Sequence, residues 1–266
     1  MSFSPLMTVM VNAARKAARG IRRDFGEVEN LQVSVKGPGD FVTSADKRTE
    51  KILYDELSRA RPGYGFLGEE GGTRPGSDPD NRWIIDPIDG TTNFIHGMPM
   101  IAISIALERA GDVVAGLVYN PIMDELFTAE RGRGAMLNEK RRLRVSARRD
   151  LKDALVSCGL PHSMGDGIVK FSGEMAALQG QVAGLRRTGS ACLDLAYVAA
   201  GRFDGFWERG LHAWDIAAGL LLVREAGGRI SDLDGRGDPL ATGNVLAANT
   251  AIYDELEKRL TLARAA

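Results

Sequence analysis

A chain of 266 residues with 44% hydrophobic and 26% charged residues has the make-up of a folded globular protein, long enough for one large core or two joined ones. Its formal net charge of −1 argues against a protein whose main task is coating nucleic acid or an anionic membrane. No run of roughly 18 apolar residues occurs, which argues against a transmembrane helix. Cys158 and Cys192 lie far apart without C-x-x-C spacing. Buried reduced thiols in a cytoplasmic protein fit them, and a single disulfide stays open.

The first 23 residues lack acids and carry five basic residues, superficially like a transit peptide. Met7, Met10, Val11, Ala14, Ala17, Ala18 and Ile21 instead mark one face of an amphipathic helix ending near Phe25-Gly26. Residues 31–36 alternate like a strand before a Gly37-Pro38-Gly39 turn. Asp46 precedes a helical pattern from Thr49 to Arg59, stopped by Arg61-Pro62-Gly63. Phe66-Leu67-Gly68 is a short strand running into Glu69-Glu70, and Gly76 to Asn81 is polar and turn-rich. Trp83-Ile84-Ile85 leads to Asp86, where Pro87 is expected to end the ladder.

Ile101–Leu107 and Val113–Tyr119 flank Ala110-Gly111-Asp112 as a β-hairpin, and Leu126–Ala129 with Ala135–Leu137 form another. After the charged connection at 138–142, elements alternate. Strand 154–158, helix 167–179, strand 185–188, helix 191–201, strand 203–207, helix 215–226 and strand 229–231 suggest an α/β second half. The expected division is an N-terminal half at 1–142 and a C-terminal half at 143–266.

Asp86 and Asp89 are the residues on which chemistry turns. Two carboxylates this close repel unless a cation lies between them, and hard divalent ions such as magnesium prefer oxygen ligands. The Ile88 carbonyl between them offers a neutral oxygen. Gly90-Thr91-Thr92-Asn93 would present backbone N–H groups to an anion if a helix starts there. An ordinary Asp-rich turn uses the same residue types, and the segment alone leaves both readings open.

The segment Trp83 to Phe94, read WIIDPIDGTTNF, resembles the N-terminal signature of the inositol monophosphatase family. Trp214-Asp215-Ile216-Ala217-Ala218-Gly219 running to Glu225-Ala226-Gly227-Gly228 resembles that family's C-terminal signature. Gly68-Glu69-Glu70 stands where the family places its first acidic ligand. The match keeps order and spacing over nearly the whole chain. It points to a bacterial-type member, within the lithium-sensitive, magnesium-dependent sugar phosphatases.

The resemblance implies an αβαβα layered sandwich: an N-terminal α+β half with a largely antiparallel sheet, a C-terminal α/β half with a mixed sheet, and the site between them. It implies two to three Mg2+ ions. Glu69, Asp86 and the Ile88 carbonyl would hold the first, Asp86, Asp89 and Asp215 the second, and Glu69 with waters a third. Asp46 would bond Thr91 and help position the attacking water, so that Glu69, Asp46 and Thr91 carry catalysis. The substrate phosphate would lie against Asp86, Asp89, Gly90, Thr91 and Asp215, while Ala191 and Glu208 would contact inositol hydroxyls. The reaction implied is in-line hydrolysis of a phosphate monoester, myo-inositol monophosphate being favoured by Thr92-Asn93-Phe94. Fructose 1,6-bisphosphate, histidinol phosphate and adenosine 3',5'-bisphosphate are the alternatives. A homodimer without membrane partners is implied as well.

Several residues also have plainer readings. Asp46 and Asp215 suit helix N-caps, and Glu208 suits a solvated strand end. His96, His162 and His212 are too scattered for a zinc cluster, and His96 and His212, which fall near the two signatures, suit packing or supporting roles beside the cleft. The basic run from Arg131 to Arg149 lacks the aromatic interleaving of a nucleic-acid surface and suits a solvated connection. Glu139 departs from the family, which often has Gly there, and makes the turn geometry at that point an open question. A non-catalytic binding protein would be expected to lose a ligand, yet Glu69, Asp86, Asp89 and Asp215 are all present; an enzyme with an added partner-binding role stays open.

Overall fold

A computed structural model describes residues 3–25, 33–37, 40–160, 166–235 and 237–265. Helix α1 (Pro5–Asp24) starts with Pro5 in its first turn, and Ser4 Oγ accepts the Met7 N–H at 3.0 Å. All seven residues of the expected apolar face are buried, so this segment builds core. Strands β1 (Val33–Gly37) and β2 (Asp40–Thr43) pair antiparallel. Leu31, Pro38 and Gly39 of the expected strand and turn lie outside the described residues.

Helix α2 (Ser44–Ala60) begins five residues before the expected Thr49. Thr43 is its cap, and Asp46 sits inside the first turn, returning a bond from the Thr43 N–H at 2.9 Å. That is a capping box, with Asp46 at its third helical position rather than at the cap.

The large sheet has eight strands in the order β10-β9-β8-β7-β6-β5-β3-β4. They are β3 (Tyr64–Gly68), β4 (Gly72–Arg74), β5 (Asp78–Asp89), β6 (Ala102–Arg109), β7 (Asp112–Asn120), β8 (Glu125–Glu130), β9 (Gly134–Leu137) and β10 (Arg141–Arg142). Only β3 and β5 run parallel; every other pair is antiparallel. The two expected hairpins are present. Two expectations need correcting. The polar stretch at 76–81 is a turn only up to Ser77, since β5 already begins at Asp78. Pro87 does not end the ladder: pairing resumes at Asp89 after one extra residue, because a β-bulge absorbs the missing N–H.

The pleat splits the apolar residues between two cores. Trp83, Ile85, Ile103, Ile105 and Leu107 pack toward α1 and α2, whereas Ile84, Ala102, Ala106 and Val118 face the other way. That second face is built from small residues so that helix α6 (Ala213–Glu225) can lie close. A Cβ added at Gly116 would stand 3.0 Å from the Ala218 backbone. Helix α5 (Ala191–Ala199) is buried beside α6.

Behind these helices lies a five-stranded mixed sheet in the order β12-β11-β13-β15-β14. Its strands are β11 (Leu155–Cys158), β12 (Gly184–Arg186), β13 (Gly205–Glu208), β14 (Arg229–Asp232) and β15 (Val245–Ala248). Helices α4 (Asp166–Leu178) and α8 (Tyr253–Ala265) close the outer face around Leu178, Trp207, Leu256 and Leu260. Helix, sheet, helix, sheet and helix therefore stack as the expected αβαβα sandwich. β15, α8 and the short helix α7 (Pro239–Thr242) were not anticipated. Val-Leu-Ala-Ala of β15 is buried on both faces and shows no alternation to read. Cys158 and Cys192 are both buried and free. No helix of the described residues is long and apolar enough to cross a membrane.

Candidate active site

Parallel pairing of β3 and β5 sets Gly68 opposite Ile85. The next residue, Glu69, donates its N–H to the Ile85 carbonyl at 3.3 Å, so the chain leaves β3 with Glu69 alongside Asp86. Glu50 of α2, buried, accepts the Glu70 N–H at 2.8 Å and holds this loop from beneath. Gly68 and Gly71 leave room for it: a Cβ at either would come within 2.7 or 2.6 Å of the Glu50 carboxylate.

Asp86 is 2% exposed, and its Oδ1 accepts the Ile88 N–H at 2.9 Å across the bulge. Asp89, beyond the bulge, reaches the start of α5, where its Oδ2 accepts the Cys192 N–H at 2.7 Å and the Ser190 hydroxyl at 2.8 Å. Ala191, between those two, is nearly covered. Gly90 adopts φ of 93°, where a side chain would also press on the Met100 and Gly189 carbonyls at 2.8 and 3.1 Å. The single-turn helix α3 (Thr91–Ile95) follows. Thr91 Oγ1 stands 3.2 Å from Asp46 Oδ1 and 3.1 Å from the Ile88 carbonyl, donating between them.

Asp215 comes from the central helix layer. Like Asp46 it occupies the third position of its helix, not the cap, and its Oδ2 accepts the His212 N–H at 2.7 Å. Ser104, opposite Asp86 in the ladder, donates its hydroxyl to the Trp214 carbonyl at 3.1 Å and so draws this helix start toward Asp86.

The charges act on one another. Burial pushes the Asp86 carboxyl well above the usual carboxylate range, and the negative charges of Glu69, Asp89, Asp215 and Asp46 push it further. Asp89 is raised to about 6, first by burial and then by Asp215, against the bonds from Cys192 and Ser190. Glu208 is not the solvated strand end that its position at the end of β13 suggested. It is half-buried, and burial raises it well above its ordinary range, followed by Asp194, Asp215 and Asp89. Glu69, Asp86, Asp89, Asp215 and Asp46 thus lie near enough to act on one another, and Glu208 is coupled to the same group through Asp215 and Asp89. Among the described residues, no three acids, histidines or cysteines are already drawn into a metal cage. Equally, Asp86 and Asp89 have no salt bridge to Lys or Arg among them, and Asp215 has only His212, 3.7 Å away.

His212 is exposed and stacks on Trp214, with ring centroids 4.6 Å apart; His96 is exposed at the end of α3, and His162 lies outside the described residues. The supporting residues Glu50, Ser104 and Ser190 were not singled out from the sequence, and Asn93 was read there only as part of the anion-binding turn and the substrate-selective stretch. Asn93 donates to the Met100 and Thr188 carbonyls at 2.7 and 2.8 Å, pinning α3 to the loop before α5. The signature containing Asn93 was the one available signal. The others are ordinary polar residues whose partners lie far away in sequence.

An αβαβα sandwich that brings acids together from strand ends on one side and helix starts on the other has the build of a class of phosphatases. The chain belongs to the inositol monophosphatase family, whose model matches residues 3–265. A Mesorhizobium japonicum protein named inositol-1-monophosphatase is 59% identical over 258 residues, 97% of each chain. The crystal structure of extragenic suppressor protein suhB from Bartonella henselae superposes with a TM-score of 0.93 at 55% identity, over 97% of this chain and 98% of that one. An Escherichia coli protein named Nus factor SuhB is 45% identical over 248 residues, 93% of this chain and 92% of its own.

Proposed function

We propose that this phosphatase hydrolyses myo-inositol monophosphate to inositol and phosphate in a magnesium-dependent, in-line displacement. One observation carries the reading. Asp86, Asp89 and Asp215 each commit one oxygen to a backbone N–H and have a second oxygen that takes no backbone N–H among the described residues. Carboxylates held this way are fixed in place yet still able to bind a hard cation.

The donor set fits magnesium. Buried carboxylates without a basic partner are costly, and a divalent ion offsets both their desolvation and their mutual repulsion. Glu69, Asp86 and the Ile88 carbonyl would hold one ion, Asp86, Asp89 and Asp215 a second, and Glu69 a third. When bound, magnesium lowers the pKa of water and neutralises charge on the phosphate and leaving oxygen. The chain's own groups do the positioning. Thr91, its hydroxyl proton directed to Asp46 and Ile88, turns oxygen lone pairs toward the cleft to accept from the attacking water. Gly90 and Thr91 offer first-turn amides to phosphate oxygens. Glu208, from the opposite sheet, accepts from sugar hydroxyls beside Ala191. The protein acts as a cytoplasmic homodimer on this reading.

The test is magnesium-dependent phosphate release from inositol 1-phosphate, fructose 1,6-bisphosphate, histidinol phosphate and adenosine 3',5'-bisphosphate, with and without lithium. Inositol 1-phosphate should be fastest and its hydrolysis lithium-sensitive. Much faster release from another of the four would overturn the substrate, and none from any would overturn the activity.

A second role, binding apart from catalysis, is favoured by the name of the Escherichia coli relative, Nus factor SuhB. Replacing the gene in its host by Asp89→Asn tests it. A phenotype like wild type supports the binding role; one like a deletion removes it.

A further inference from the structure

The large sheet carries a cavity of about 560 Å3 whose lining includes none of the acids Glu69, Asp86, Asp89, Asp215 and Glu208. It lies over β8, β9 and β10, where the α1 layer runs out, and β6 and β7 stand between it and β5. The pleat builds its floor. Glu130 pairs with Gly134, Thr128 with Met136, and Met136 with Arg142, so these residues share one face of the sheet. Phe3, just before α1, and Met7, in its first turn, form an apolar wall.

The cations there are unspent. Arg133, Lys140 and Arg142 reach the cavity from exposed positions, and none makes an ion pair among the described residues. Of the two acids that line it, Glu139 is already paired with Arg15 at 3.2 Å, and Glu130 lies on the floor opposite Gly134. The arrangement is also fixed in advance. Glu225, at the end of α6, accepts the Gly132 and Gly134 N–H groups at 2.8 and 2.7 Å and so locks the turn that carries Arg133. Gly134, at φ of 85°, lets the Arg142 guanidinium lie against the backbone: a Cβ there would meet its Nη2 at 2.8 Å. The volume falls within the roughly 300–1,000 Å3 of small-molecule sites, and an apolar wall with a few placed charges is their usual make-up.

We propose that this cavity binds a phosphorylated small molecule with a flat apolar body, of which a nucleoside diphosphate is the example. The phosphates lie on Arg142, Arg133 and Lys140, Arg142 supplying a two-pronged contact. The body lies against Phe3, Met7 and Met136. The site is separate from the acidic cleft and does not depend on what the cleft hydrolyses.

Titration calorimetry with ADP, on the full chain in chelator so that no divalent ion bridges it to the acidic cleft, tests this. Saturable binding is expected, weakened at least about tenfold by Arg133→Ala/Lys140→Ala/Arg142→Ala, equivalent to ~1.4 kcal/mol. Asp89→Asn should leave it unchanged, and adenosine or pyrophosphate alone should bind more weakly than ADP. All three substituted residues are exposed, and an unchanged melting curve would confirm that the variant folds. No saturation at millimolar ADP, unchanged affinity in the triple variant, or loss of binding in Asp89→Asn would each overturn the proposal. Equal affinity for pyrophosphate and ADP would overturn the role of the apolar wall.

Discussion

Asp89 accepts the backbone N–H of Cys192 at 2.7 Å, a bond that joins the last residue of a large-sheet strand to the first turn of a central helix 103 positions later. Ser190 binds the same oxygen. The carboxylate therefore ties the end of that strand to the start of the helix through one oxygen. An asparagine keeps an oxygen acceptor for that bond but removes the charge, which separates the structural task from the chemical one.

Glu50 is predicted to act through the loop it holds. Glu50→Ala deletes the acceptor of the Glu70 N–H and should lower activity by about 10- to 100-fold, the range typical of groups that orient metal ligands. The magnesium concentration for half-maximal activity should rise in parallel. Glu50→Gln keeps a carbonyl acceptor and should recover most of both. Equal losses in the two variants would show that the hydrogen bond is not what matters.

Gly159 is the gate on Glu208. A Cβ at Gly159 would fall 1.8 Å from the Glu208 carboxyl carbon, so Gly159→Ala must displace that side chain. If Glu208 holds the sugar, KM for inositol 1-phosphate should rise about tenfold, one hydrogen-bonded contact's worth, with a smaller change in kcat. An unchanged KM would remove Glu208 from the substrate contacts.

Asp194 is one of the buried acids that make the stability depend on pH. Burial raises its carboxyl well above the usual range, the charge of Asp89 adding to this and the Thr188 hydroxyl, at 2.6 Å, opposing it. A value raised in the native state favours folding fully only below the unfolded value, and that contribution is lost as pH rises through the folded value. Asp194→Asn stays neutral and keeps an acceptor for Thr188. It should melt a few degrees above wild type at neutral pH, with the difference vanishing below about pH 4. A constant offset across that range would exclude titration as the cause.

Glu139 settles the turn geometry that its departure from the family left open. Asn138 and Glu139 have φ of 49° and 63°, the left-handed region in which Gly is at ease. Asn138 tolerates it and binds the Leu126 N–H at 2.8 Å, and Glu139 is tied to Arg15. Glu139→Gly should alter stability by less than about 1 kcal/mol, strain relief offsetting the lost ion pair and the freer unfolded chain. Glu139→Val, β-branched at positive φ, should cost ~1–2 kcal/mol by denaturant unfolding.

How far the sequence reveals this protein depends on how local each feature is. Strand alternation at Ile101–Leu107 and the apolar face of α1 are written in neighbouring residues, and both hairpins follow from them. Asp215 was legible only through a family signature, because a helix start rich in apolar residues looks the same with or without a cleft in front of it. Glu50 and Ser190 carry no local mark at all. Their partners, Glu70 and Asp89, are 20 and 101 positions away, and only the packing of layers brings them together. β15 escaped for a related reason: burial on both faces erases the period that identifies a strand.

Magnesium titration of phosphate release from inositol 1-phosphate, by wild type and by Asp89→Asn side by side, tests most directly whether the carboxylates of this cleft hold the ions of catalysis. Wild-type release should saturate with magnesium. Asp89→Asn should lose at least about a hundredfold in turnover or in magnesium affinity while keeping its melting temperature within a few degrees. Wild-type turnover at the same magnesium dependence in a folded Asp89→Asn would contradict it.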